Sequence, residues 1–398
     1  MTRQKASAAV AALAGSIFAA AALYPQARAD ALKTKTGTVS IERLARLDNP
    51  WGMTFLPDER LLITEKPGRL RVYSGGKLSP PIPGVPKVVY HDQGGLLDVE
   101  IDPDFAQNAT VYLSYAEAAE QQPRAAREPP DPRLGSSLDQ QDHVLKGAAV
   151  ARAKLVGGAL HDVTVIWRQV PKTLGLGHFG GRLVFAPDGK LFITSGERQR
   201  FDPAQDLGSN LGRVVRIDSD GSIPEDNPFA KQPGARPDTW TLGHRNPLGA
   251  AINPASMQLW IIEMGPAHGD ELNIIERGKN YGWPIVSNGD NYDGSPIPDH
   301  PTRPEFEPPT YFWHPAVSPS GLVFYTGDRF AAWRGNALLG GLSSKVLIRL
   351  TLDGNRVTDE ERIDLKRRIR DVVQAPDGSV MVLSDGDEGE LLRLTPAR

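Results

Sequence analysis

Apolar residues recur along this chain in short paired runs, each pair joined by a polar turn. The unit is a small or apolar run, a Pro-Asp or Gly-Asp turn or a close variant, and a second apolar run. It appears at residues 51–63, 96–113, 183–194, 248–262, 322–339 and 372–383, with turn markers at Pro57, Pro103, Pro187, Pro254, Gly327 and Pro376. Proline presets the first turn dihedral, and aspartate and glycine accept the conformations that follow, so each unit predicts a β-hairpin. Several hairpins are followed by a further apolar strand, at 70–73, 214–217, 346–350 and 391–394. Six hairpins spaced by roughly 45–85 residues, each with room for four strands, predict an all-β chain: a six-bladed β-propeller of four-stranded antiparallel blades. A β-sandwich with coincidental turns is the alternative, and six repetitions of one turn argue against it. No helical period is sustained, which argues against an α/β fold. A strand around 39–41 is placed to join the last blade and close the ring, removing the free edges that a β-protein must otherwise guard.

Two stretches break the pattern. Residues 117–145 are rich in Gln, Pro, Arg and Asp without periodicity and predict a long insertion between the second and third blades, either a plain solvated loop or a cap on the mouth of the ring. Residues 288–309 form a second, proline-rich loop. Residues 1–29 stand apart from the fold. Arg3 and Lys5 precede an alanine-rich apolar stretch at 8–23, and Ala27-Arg28-Ala29 fits a small-x-small cleavage site. A removed signal peptide is expected, with export to a bacterial periplasm, no membrane span after cleavage, and a single domain over 30–398. The formal net charge is −3, and the charged residues of the leader, Arg3, Lys5 and Arg28, are all basic, so the remainder is more acidic still. That argues against nucleic acid as a partner. The absence of cysteine excludes disulfides, a thiolate metal site and a cysteine nucleophile.

The polar loops at one end of the hairpins carry the candidate chemistry. Around the fourth hairpin, His244-Arg245-Asn246-Pro247 precedes the first run and Gly265-Pro266 follows the second, so antiparallel pairing brings both loops to one mouth. Arg245 and Asn246 are donors able to stabilise an oxyanion or hold a carboxylate, or a structural tie between blades. Gly265 and Pro266 offer backbone carbonyls to a hard cation such as Ca²⁺, or form a turn. Asp270-Glu271 and Tyr281-Gly282-Trp283-Pro284 could serve a second cation or pack a loop. Before the third hairpin, His178 sits among glycines, and Glu197 follows the same hairpin back towards it. A carboxylate beside an imidazole fixes its tautomer and stabilises its cation, although a lone histidine in such a loop is as readily a turn residue. Gln93 precedes the second hairpin, and Arg367, Arg368 and Arg370 precede the sixth. Four hairpins thus carry an unusual polar group just before their first strand, which points to a mouth suited to an anionic ligand and a cation.

The ordered segments QGGLLDVEIDPDF, GHFGGRLVFAPDG, LGRVVRIDSDGSIPEDNPF, LGHRNPLG, EMGP with DELN, GKNYGWP and RIRDV, running from about Asn49 to Arg393, resemble the soluble, exported aldose sugar dehydrogenases that use pyrroloquinoline quinone (PQQ), the soluble glucose dehydrogenase type. The resemblance implies a six-bladed propeller with PQQ and Ca²⁺ at the mouth. It implies His178 as the base for the anomeric hydroxyl and Glu197 as the acid that orients it. Arg245 and Asn246 would contact the quinone, Gly265 and Pro266 would ligate the PQQ-bound Ca²⁺, and Arg368 and Arg370 would hold PQQ carboxylates. Gln93 would lie near the sugar, Tyr311 would line the site, and Glu271 and Tyr281 would ligate a second Ca²⁺. The implied reaction takes an aldose to its lactone and passes electrons to an external acceptor, a quinone or a cytochrome. Two positions depart from the family pattern. A basic residue is often found just after the position of Gly341-Leu342, and here it is Ser343. On a strand, Lys345 would share its face and could substitute. An aromatic partner three residues after the tyrosine is His314 here. A Ca²⁺-dependent lactonase and a non-enzymatic propeller that binds sugar, glycan or protein are the rival readings. The lactonase needs a carboxylate-rich central metal site.

Overall fold

In a computed structural model of the chain, residues 30–122, 133 and 143–397 are described. The expected leader and most of the expected insertion lie outside them; the strands on either side of the insertion, Thr110–Ala118 and Lys146–Val156, pair with each other, so it falls within blade 2 and not, as expected, between the second and third blades. Six antiparallel sheets follow one another in chain order, as the hairpin repeats predict. From the axis outwards, blade 1 holds Pro50–Phe55, Leu61–Glu65, Arg69–Ser74 and Lys77–Leu78. Blade 2 holds Leu96–Ile101, Thr110–Ala118, Lys146–Val156 and Ala159–Arg168. Blade 3 holds Gly180–Phe185, Leu191–Ser195, Arg213–Ile217 and Thr239–Leu242. Blade 4 holds Pro247–Ile252, Leu259–Glu263, Asp270–Ile274 and Tyr311–Trp313. Blade 5 holds Pro319–Phe324, Ala337–Gly341, Val346–Asp353 and Arg356–Asp364. Blade 6 holds Ile369–Gln374, Val380–Ser384 and Gly389–Pro396, completed by Gly37–Leu47 from the other end of the chain. Val39 pairs with Pro396 and Leu47 with Gly389, so the ring is closed by hydrogen bonds. A further strand, Asp30–Thr34, extends this blade outwards.

The second strands are buried along their whole length in blades 1, 3, 4, 5 and 6, because each blade is covered on both faces by its neighbours. They therefore read as continuous apolar runs instead of alternating ones. Trp260 and Trp313 of blade 4 pack with Phe324 and Leu339 of blade 5, and Val150 and Trp167 of blade 2 pack with Ile193 and Val215 of blade 3. Each such side chain contributes about 1.5–3 kcal/mol of burial. Four of the expected turns are tight. In blade 2 the short helix Phe105–Asn108 follows Pro103, and in blade 5 Gly327 opens a longer connection that carries the 3-10 turn Ala331–Trp333. No helix among the described residues is long and apolar enough to cross a membrane.

Every innermost strand slips register against its partner near its second or third residue. Such bulges re-aim side chains at the rim of a ring. The third residues of the six strands are Gly52, Asp98, Arg182, Gly249, Gly321 and Asp371. Arg182 lies 3.1 Å from Asp98 and 3.0 Å from Asp371, with all three buried. The glycines make room for them: a Cβ on Gly52 would fall 2.3 Å from Asp98 Oδ1, and one on Gly321 2.6 Å from Asp371 Oδ1. This charged ring lies under the mouth where the site is built.

Candidate active site

A hairpin returns its second strand to the end where its first began. Gly180 pairs with Ser195 and Pro247 with Glu263, so the loops that enter the innermost strands and the residues that leave the second strands share one mouth. His178 therefore meets Glu197, and Arg245-Asn246 meets Gly265-Pro266.

His178 has a left-handed backbone, with φ of 54°. Gly196 lets the chain pass close to it: a Cβ there would sit 2.2 Å from the His178 carbonyl oxygen. The His178 N–H donates to Gln93 Oε1 at 2.9 Å, so Gln93 positions the histidine. Its ring Nδ1 is hydrogen-bonded to Glu197 Oε1. The other Glu197 oxygen accepts the N–H of Phe201 at 2.8 Å and that of Arg200. Arg198, Gln199 and Phe201 also have positive φ, which makes this loop the densest run of strained backbone in the described chain. Burial, joined by the Arg245 charge, pushes the His178 pKa below its ordinary value despite Glu197. Burial alone would raise Glu197, but its contact with His178, then Arg245, outweighs it and holds the carboxylate below its usual range. The pair thus rests as a neutral imidazole beside an ionised carboxylate.

Arg245 is tied at its backbone, where its N–H donates to Glu263 Oε2 at 2.7 Å. Its Nη1 donates to the carbonyls of Gly265 at 2.5 Å and Met264 at 3.1 Å, and its guanidinium lies 5.2 Å from the Trp283 ring centre and 5.7 Å from that of Tyr292. Its Nε is buried without a partner, and so is Nδ2 of Asn246, whose Oδ1 accepts the Gly180 N–H at 3.2 Å. Arg213 and Arg236 leave a buried Nε in the same way; what marks these two donors is that they come from adjacent residues and that the Arg245 charge acts on His178.

Beside these groups opens a cavity of about 270 Å³, lined among others by Trp51, Lys66, Gln93, Arg368, Arg370 and Asp385. His178 and Arg245 stand behind its wall, which their neighbours Phe179, Gly180 and Met264 form. Asp385 accepts Arg370 Nε at 2.9 Å and Nη2 at 2.8 Å, and Arg368 Nε at 3.1 Å. Burial works against its ionisation, yet Arg370, Arg368 and Lys66 bring its carboxyl down to about 2. Lys66 Nζ donates to the Asp92 carbonyl at 3.0 Å. Lys66, Trp51 and Asp385 are residues that sequence reasoning missed. Lys66 and Asp385 each directly follow a second strand, the position that hairpin geometry returns to the mouth.

Some expected residues are placed elsewhere. Tyr311 lies on the outermost strand of blade 4, paired with Leu272, and its hydroxyl bonds Glu360 of blade 5 at 3.0 Å, so it does not line the cavity. Ser343 and Lys345 sit exposed in the turn between Ala337–Gly341 and Val346–Asp353. Lys345 has φ of 60°, so the strand that would have aimed it at the site is absent. His314 packs against His268, their ring centroids 4.3 Å apart and the planes tilted by 58°. Arg367 pairs with Glu390 and Arg370 is the second residue of its strand, so only Arg368 and Arg370 of the three reach the cavity. Glu271 and Tyr281 flank a small void behind Arg245, with Glu263. There Asn273 Nδ2 bridges Glu263 at 2.9 Å and Glu271 at 3.1 Å, and burial raises the Glu271 pKa. The Tyr281 hydroxyl is committed to the Ile274 carbonyl at 2.5 Å. No group of three or more His, Cys, Asp or Glu among the described residues is arranged to hold a metal. A cation at Gly265-Pro266 would rely on carbonyls, and Arg245 already holds that of Gly265.

The family model for glucose / sorbosone dehydrogenase matches residues 47–393. The chain is 42% identical over 377 residues to the aldose sugar dehydrogenase YliI of Escherichia coli K12, covering 92% of this chain and 95% of that protein. A glucose dehydrogenase crystal structure, 44% identical, superposes with a TM-score of 0.81 over 90% of this chain and 99% of that one. The PQQ-bound aldose sugar dehydrogenase of Streptomyces coelicolor is 25% identical, with a TM-score of 0.67 over 90% of this chain and 98% of that one. The chain belongs to the glucose/sorbosone dehydrogenase family and is a sugar dehydrogenase.

Proposed function

We propose that this enzyme oxidises the C1 hydroxyl of aldoses to lactones, with PQQ bound in the cationic cavity, Ca²⁺ beside it and an external electron acceptor. The observation that carries the reading is the buried His178–Glu197 pair next to two partnerless donors, Arg245 Nε and Asn246 Nδ2, behind the wall of an arginine-lined cavity. PQQ is a flat quinone with three carboxylates, and the residues present fit it: Arg368, Arg370 and Lys66 face the cavity as cations, opposed by Asp385 and the rim residue Asp92. Gly265 and Pro266 offer carbonyls of the kind that hold Ca²⁺, provided Arg245 releases the first of them. When bound, PQQ supplies the acceptor for the hydride of C1, and Ca²⁺ the charge that polarises it.

The chain supplies the rest. His178, neutral because burial and Arg245 depress its pKa, takes the hydroxyl proton on Nε2. Glu197 holds Nδ1 in its protonated form, fixing the tautomer, and stabilises the imidazolium. Arg245 places donors where negative charge develops and turns there on a backbone anchored by Glu263. Gln93 keeps the histidine at its strained φ. The leader at 1–29 adds export to the periplasm to the proposal.

Reconstitution tests it. Purified protein with PQQ and Ca²⁺ should reduce an artificial dye with aldoses and not with a 1-O-methyl glycoside, whose C1 oxygen is blocked. Oxidation of the blocked sugar, or dye reduction without PQQ, would overturn the reading. His178→Ala should lose turnover by about 10²–10⁴-fold while still binding PQQ, and unchanged turnover would remove His178 from the reaction.

A further inference from the structure

We propose that Lys66 is a cofactor-binding residue, the third cation on the PQQ carboxylates beside Arg368 and Arg370, in the place that Lys345 does not reach. The inference rests on the PQQ reading above and adds a residue to it. Lys66 directly follows the second strand of blade 1, and Asp385 directly follows that of blade 6, the next blade in the ring. The two positions are equivalent, and both line the cavity with Arg368 and Arg370.

The backbone of Lys66 is clamped: its N–H donates to the Asn49 carbonyl at 2.9 Å, and its carbonyl accepts the Leu96 N–H at 2.9 Å. Gly95 presses against it so closely that a Cβ there would fall 2.3 Å from the Lys66 oxygen. The clamp fixes where the side chain starts, and the Asp92 carbonyl holds its ammonium at 3.0 Å. Among the described residues Lys66 forms no ion pair, and its ammonium bonds the Asp92 carbonyl, which leaves further donors for a ligand. Burial and the neighbouring Arg370 charge depress its pKa, the signature of a cation short of anions. A carboxylate at this point would relieve that repulsion. Lys345, by contrast, is exposed in a turn.

Calorimetric titration of the cofactor-free protein with PQQ at low ionic strength tests this without using activity. Lys66→Met should weaken PQQ by roughly ten- to hundredfold, the loss of one charge-assisted contact. The deficit should shrink at high salt. Lys66→Arg should stay within a few-fold of the parent, and Lys345→Met should bind as the parent does. Lys66→Gln, which keeps a donor for the Asp92 carbonyl but not the charge, should show the same loss and serves where the methionine variant melts early. Parent-like affinity in a folded Lys66→Met or Lys66→Gln, or an equal loss in Lys345→Met, would overturn the assignment while leaving the PQQ reading intact. A parent protein that binds no PQQ would overturn both.

Discussion

Two arginine–carboxylate clusters lie one above the other on the axis of this propeller, and they are built on opposite principles. In the lower one Arg182 serves Asp98 and Asp371, with Nε on the Leu248 carbonyl at 2.8 Å and Nη2 on the Arg370 carbonyl at 3.2 Å. Its guanidinium lies 4.2 Å from the Trp51 ring centre. Each acid also holds a neighbouring backbone: Leu183 N–H to Asp98 at 3.0 Å and Met53 N–H to Asp371 at 3.0 Å. Innermost strands of five blades are tied in one satisfied network. In the upper cluster Arg368, Arg370 and Lys66 face Asp385 and the exposed Asp92, with two orphan donors and a strained histidine loop alongside. The residue types are the same, and adjacent residues of one strand, Arg370 and Asp371, serve different clusters. What separates scaffold from site is the completeness of the partners: closed charges hold blades together, and open ones wait for a ligand.

The sharpest way to break this contrast is Arg182→Met. It strands two buried carboxylates, which costs about 3–5 kcal/mol at neutral pH, read from urea unfolding. Burial already raises the pKa of both acids, so the stranded native state binds protons more tightly than the unfolded chain. The loss should therefore be smaller at pH 5 than at pH 7, because stability falls as pH rises through that interval. A loss under about 1 kcal/mol at neutral pH would mean that the lower cluster does not hold the ring. Arg370→Gln is the counterpart. Asp385 keeps Arg368, and mutual repulsion among the cations is relieved, so the cofactor-free protein should lose less stability than Arg182→Met does. PQQ affinity should fall by roughly ten- to hundredfold. If stability collapsed and affinity held, the two clusters would have exchanged roles.

Much of this was legible before any coordinates. Six turn-marked hairpins carry the blade count, and the polar loops before strands one carry His178, Arg245, Asn246 and Gln93. Glu197 was reached by asking where a hairpin returns. The same question put to blades 1 and 6 finds Lys66 and Asp385, whose charges directly after a buried strand are the signal. Arg182 was readable only by aligning the six innermost strands at their third residue, where three positions are glycine and three are charged. Tyr311 and Lys345 failed for another reason. Their placement depends on the outermost strand of blade 4 and on a turn in blade 5, where short segments without periodicity say nothing about which way a side chain faces. The fourth strands of the first five blades were missed on the same grounds, since an outer edge with one solvated face lacks the continuous apolar run of the second strands, whereas that of blade 6 was expected around 39–41.

The smallest expected effect tests whether the lower cluster is complete. Glu100 follows Asp98 by two residues, so both face the axial channel, a space of about 220 Å³. It has no arginine: its Oε1 accepts only the Ile101 N–H at 2.8 Å and the Thr54 hydroxyl at 3.2 Å. Burial pushes its carboxyl up to about 7, with the Asp98 charge adding to the rise. The unfolded chain ionises this group near pH 4.3, so between that pH and 7 the native state holds a proton that the unfolded state has released. Its contribution to stability is therefore full below about pH 4 and is lost as pH rises through 7, by about 2 kcal/mol once the group's partial exposure to solvent is allowed for. Glu100→Gln cannot ionise, so its loss of stability between pH 5 and pH 8 should be smaller than the parent's, with what remains belonging to Asp98 and Asp371. An identical pH response in both proteins would assign the titration elsewhere, and Glu100 would join Asp98 and Asp371 as a charge the ring already accommodates.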